Sequence, residues 1–97
     1  MSKYVYRYEV PVDDAVHSLA LTGPVVKIEV SQNYNVVEVW ALAKPGAKKR
    51  THNLRAFGTG QEIPDDARYV GTTTRSLGLV WHLFSLPPFD DVTRIPC

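Results

Sequence analysis

Cysteine is nearly absent from this chain: the single one, Cys97, is the last residue, so an intrachain disulfide and a four-cysteine metal site are both excluded. No apolar run approaches the ~18 residues that a membrane-spanning helix needs. Neither sign of charge is in excess. Eleven Lys and Arg stand against ten Asp and Glu, a formal net charge of +1, and general nucleic-acid binding draws on a strong basic surplus. Sustained helical spacing is missing too, and the longest candidate, around residues 41 to 49, is interrupted by Pro45 and Gly46, where proline removes a helical donor. The N-terminus enters a strand pattern directly, without the apolar stretch of a signal peptide, so the expected compartment is the cytoplasm.

What is present is alternation. Tyr4, Tyr6, Tyr8 and Val10 alternate with Val5, Arg7 and Glu9, the mark of a half-buried strand with a tyrosine face. Residues 15 to 21 place His17, Leu19 and Leu21 on one side. Val26, Ile28 and Val30 alternate with Lys27, Glu29 and Ser31, and Val37 and Val39 with Glu38, Trp40 and Leu42. Residues 50 to 57 and the threonine-rich residues 67 to 74 continue the series. Residues 77 to 86 are apolar on both faces, with Leu79, Trp81 and Leu83 on one and Val80, His82 and Phe84 on the other. A strand of that kind belongs between two covering layers, so it is expected to be central. Thr22-Gly23-Pro24, Lys44-Pro45-Gly46 and Pro64-Asp65-Asp66 supply turns. At 97 residues and 44% hydrophobic the chain holds one core. The expectation is all-β: a single antiparallel β-sandwich or small barrel of about seven strands over residues 1–88, with residues 89–97 as a C-terminal tail.

Candidate binding residues gather around the loop near residue 46. Lys44, Lys48, Lys49, Arg50 and Arg55 hold five of the eleven basic residues, with no acid between Lys44 and Arg55. They offer charge-assisted donors to phosphate or to an acidic protein surface. A solvated loop tip that keeps the chain soluble is the plainer reading of the same residues. Gly58 and Gly60 flank Thr59 in a pattern that can form an anion-holding backbone nest or simply a turn, and turns are the commoner use of such glycines. Asp13-Asp14, Asp65-Asp66 and Asp90-Asp91 suit turns better than calcium, since none sits in an EF-hand loop. His17, His52 and His82 lie on three different strands without ligand spacing, so no metal site is expected. No nucleophile lies in a G-x-S-x-G elbow, and neither an enzyme nor a cofactor is expected. Five tyrosines and two tryptophans belong mostly to the core, and any ring exposed on a sheet face would mark a binding patch.

The segments RYEVPVDD (from Arg7), VEVWAL (from Val37), FGTGQEIPDDARYVGT (from Phe57) and LVWHLF (from Leu79) resemble a family of small proteins of actinobacterial phages, including mycobacteriophages. That resemblance covers about nine-tenths of the chain and carries no catalytic residues to transfer. It implies a non-enzymatic phage accessory protein, expressed in the bacterial cytoplasm, that binds and modulates or inhibits a host protein. The alternative is an oligomeric anti-defence protein that sequesters a phosphorylated nucleotide signal through Lys48, Lys49, Arg50, Arg55 and the Gly58–Gly60 backbone. A homodimer is expected through the edge of the strand at residues 67 to 74, which holds no proline and little charge.

Overall fold

A computed structural model describes residues 2–31, 35–75 and 78–90. Wherever the sequence alternates, it forms a strand. In chain order these are β1 (Tyr4–Pro11), β2 (His17–Leu21), β3 (Val25–Val30), β4 (Val36–Ala43), β5 (Arg50–Gly58), β6 (Arg68–Thr72) and β7 (Trp81–Leu86). All pairings are antiparallel. They make a three-stranded sheet in the order β1-β4-β3 and a four-stranded sheet in the order β2-β5-β7-β6. The all-β expectation holds: the molecule is a small sandwich of two antiparallel sheets.

The register explains the core. Val10 lies opposite Val37 and Tyr8 opposite Val39 in the β1–β4 ladder, while Ile28 lies opposite Val39 in the β3–β4 ladder. In the other sheet Ala56 lies opposite Leu83 and Leu54 opposite Ser85. Residues directly opposite in a ladder point to the same face, so these rows meet between the sheets. Val10, Ile28, Val37, Val39, Leu54, Ala56 and Leu83 are buried there as one cluster. The far face of the four-stranded sheet carries a second, aromatic cluster. Phe57 is fully buried, with Phe84 edge-on at 5.7 Å and the Arg55 guanidinium 4.5 Å above its ring. The strand expected to be central is central: β7 runs between β5 and β6, with Leu83 buried on one face and Phe84 packed on the other.

Four details differ from the alternation. Val26 is exposed, because an irregularity between Val25 and Lys27 shifts it out of the inward series. Leu79 precedes β7 and is exposed, so the inward face begins at Trp81. Trp81 packs against the core only in part. The domain boundary placed after Pro88 is crossed by contacts: Asp90 accepts a hydrogen bond from the Thr51 amide, and Arg68 stacks on Phe89 at 3.7 Å. The expectations for Tyr34, Ser76, Leu77 and the tail from 91 to 97, Cys97 included, fall outside the described residues.

The two sheets differ by one strand. Strand β3 lies against β6 and β1 against β5. The inward side of β2 is covered as well: Leu21 is buried and Leu19 packs against the core cluster.

Candidate functional site

The six residues proposed from the sequence do not converge. Arg50 and Gly58 are the two ends of β5, and eight steps of about 3.3 Å separate them by about 26 Å. No single phosphate spans that distance. Arg55 lies between, half-buried, occupied by the Phe57 ring and by Asp14, whose Oδ1 accepts from Nη2 at 3.5 Å. Gly58, Thr59, Gly60 and Gln61 form a tight turn, in which the Gln61 amide donates to the Gly58 carbonyl and the Gly58 amide to the Gln61 carboxamide. Gly60 has φ of +90°, which this turn needs at its third position. The Gly58 amide is thereby engaged by the chain's own side chain. Lys48 and Lys49 are exposed in the loop after β4. Arg50 borders a small hollow beside Phe89 and Gly58 another beside Trp81, while Lys49, with Lys44, borders a concave surface walled by tyrosines.

That surface has a mostly apolar lining. It is a cleft of about 460 Å³ at the open end of the sandwich, between the start of β1, the end of β2 and the β4–β5 loop. Its origin lies in side-chain size. Tyr8 and Val10 face the valines of β4, whereas Tyr4 and Tyr6 face Ala43 and Ala41. Short partners in the ladder, with Ala20 on the β2 side, leave space that valines would fill. The rings of Tyr4 and Tyr6 stack at 6.0 Å, 9° from parallel, and about half of each residue is open to solvent. Val5, on the outward face between them, is exposed as well. Lys44 and Lys49 are the charged residues of the lining, so the rim is cationic. Thr22 ties this rim to the end of β2: its hydroxyl accepts from the Lys44 amide at 3.0 Å. An aromatic wall, an apolar floor and a few convergent charges make up the composition of a binding cleft.

Sequence reasoning found the lysines and missed the tyrosine pair, which the alternation assigned to the inward face. Tyr4 and Tyr6 do point inward. The signal that they stay open was the run of alanines at 41 and 43, which a single strand's pattern does not connect to its partner.

Other groupings offer less. His82 places Nε2 at 3.0 Å from the Thr59 hydroxyl and Nδ1 at 3.1 Å from the Thr72 hydroxyl, which meets the Tyr69 hydroxyl at 2.7 Å. A nucleophile–base pair needs its base oriented by a group that supports the positive charge, and the orienting atom here is a neutral hydroxyl. Asp13 does turn work: its carboxylate meets His17 Nε2 at 2.8 Å and accepts from the Ala15 amide, contacts that, His17 first, hold its pKa below the usual aspartate value. His52 is held below the usual histidine value, mainly by burial. Asp90 opposes that effect and Arg50 adds to it. Among the described residues no group of three or more His, Cys, Asp and Glu could hold a metal ion. No helix among them is long and apolar enough to cross a membrane.

Comparison with curated proteins and with solved structures returns no match. A family model does match, over residues 1–93, and the chain therefore belongs to the family described as a domain of unknown function, DUF7352.

Proposed function

We propose that this chain is a non-enzymatic binding protein whose working surface is the tyrosine–lysine cleft at the start of β1. In line with the resemblance of its segments to actinobacterial phage proteins, we take it as a phage accessory protein that engages and inhibits a host protein in the bacterial cytoplasm. The observation that carries this reading is the stacked, half-exposed Tyr4–Tyr6 pair beside Lys44 and Lys49. Aromatic rings held open at a rim cost hydrophobic free energy in the free protein, and binding recovers it. The test compares affinity capture from an actinobacterial lysate by the parent and by a variant with Tyr4→Ser, Tyr6→Ser, Lys44→Glu and Lys49→Glu. A protein retained by the parent and lost by a folded variant supports the reading. Identical capture by both removes the cleft from consideration.

The second reading is sequestration of a phosphorylated nucleotide. Its specific support is the same pairing of ring surface with two ammonium groups and no carboxylate in the lining, which suits a base on tyrosine and phosphate on lysine. Of the residues first considered for it, Lys49 borders the cleft. Lys48, Arg50, Arg55, Gly58 and Gly60 do not, so the oligomeric form of this reading loses most of its cation set. Mass spectrometry of small molecules released on denaturing the protein purified from infected cells decides between the two.

A further inference from the structure

We infer that the partner enters the cleft as an isolated extended segment that pairs with the free edge of β1. This rests on the reading that the cleft is the binding surface and specifies the mode. The smaller sheet has three strands where the larger has four. Strand β1 is the edge of the smaller sheet that borders the cleft. Among the described residues no strand pairs with the free side of β1.

The edge suits such an addition better than the other three. Strand β1 is eight residues long and pairs with β4 over its whole length without a register shift. Strands β2 and β6 have five residues each, and β6 and β3 are both interrupted by irregularities. Long, regular edges are templates for a further strand, and short or bulged ones are protected. Proline appears only at the end of β1, at Pro11. The exposed Tyr4, Val5 and Tyr6 present apolar area on both sides of the edge.

The occupant follows from chemistry. A second copy of this chain would present its own β1, in which Arg7 offsets Glu9, and so brings no net negative charge to the two lysines at the rim. A lone segment from a partner is free to supply that charge. Its inward side chains would meet the tyrosine rings and the alanine floor, so they are apolar or aromatic at alternate positions. Lys44 and Lys49 at the rim select carboxylates. The partner is thus a protein with an exposed, proline-free acidic segment of alternating apolar residues.

Blocked eight-residue peptides test this: one alternating Val and Glu, one alternating Val and Lys, and the acidic one with alternate amides N-methylated. Binding is read by calorimetry, and the edge by hydrogen exchange at the amides of residues 4–10. The acidic peptide should bind at least tenfold tighter than the lysine peptide, slow exchange at outward-facing β1 amides, and lose binding on N-methylation. It should also weaken at least tenfold with Lys44→Glu and Lys49→Glu. Binding that depends on the lysines without protecting β1 would overturn strand addition and leave the cleft reading standing. Binding that ignores both the lysines and β1, or no binding, overturns both. Protection of the β1 amides in the free protein that is lost on dilution would mean a second copy fills the edge, and would also overturn the proposal.

Discussion

At the scale of single residues, two positions give sharp expectations. Gly23 sits where the chain crosses from β2 to β3, and a Cβ built there would lie 2.4 Å from the Leu42 carbonyl oxygen. That oxygen belongs to backbone locked by the hydrogen bond from the Leu42 amide to the Pro24 carbonyl, so it cannot move aside cheaply. Gly23→Ala should cost about 1–3 kcal/mol, as overpacking does, and lower Tm by several degrees. Gly60→Ala meets open space and carries only the positive-φ penalty of about 1–2 kcal/mol. Thermal melts of the two variants should rank in that order. His52 makes a pH prediction with a definite sign. Its folded pKa lies below the ordinary value of 6.5, first because burial disfavours the charged ring, with Asp90 opposing and Arg50 adding. As pH falls through about 6.5 the unfolded chain therefore takes up the proton first. Stability contributed by the neutral ring is complete above that pH, declines below it, and levels off once pH passes the folded pKa. The difference in urea midpoint between parent and His52→Gln should shift across this window and stay constant above pH 7.5. A flat difference throughout would show that His52 is not desolvated.

At the scale of elements, the seven strands were legible because one face of each sheet is buried, and burial writes period-two alternation into the sequence. Register was not, and Val26 shows why. It continues the series of Ile28 and Val30 in sequence, but an irregularity at Val25/Lys27 turns it outward, and that is decided by how β3 lies on β4. The same limit hid the cleft. The basic loop was visible from composition, whereas the open tyrosine pair depends on which residues of β4 face β1. Strand β7 shows the opposite case, since a run apolar on both faces fixed its central place. Leu83→Ala, at a fully buried position, should cost about 2–5 kcal/mol, against a total stability of about 5–15 kcal/mol for such domains. Trp81 is partly open, so Trp81→Ala should cost about 3 kcal/mol, the lower end for such truncations. Urea titrations of both variants check the ranking; a Trp81 loss well above that of Leu83 would place the centre of the core nearer the open end than the register does.

At the scale of the whole molecule, the free β1 edge decides what the protein can associate with. An edge strand of eight regular residues with exposed Tyr4, Val5 and Tyr6 would ordinarily mark a dimer interface, since two-fold pairing of such edges is the common outcome. Here two β1 strands, each with Arg7 offsetting Glu9, would bring no net negative charge to the rims of Lys44 and Lys49. The edge first considered for pairing, β6, is five residues long and irregular between Tyr69 and Gly71, so it offers a short and twisted template. Sedimentation or light scattering in the tens of micromolar range should therefore return the mass of one chain, 10.9 kDa, with and without the Tyr6→Glu substitution. A dimer abolished by Tyr6→Glu would mean that a second copy competes for the strand position. A dimer insensitive to that substitution but lost with a charge placed on β6, such as Val70→Lys in a variant shown to fold, would instead assign the interface to the four-stranded sheet and leave the β1 slot open for a partner.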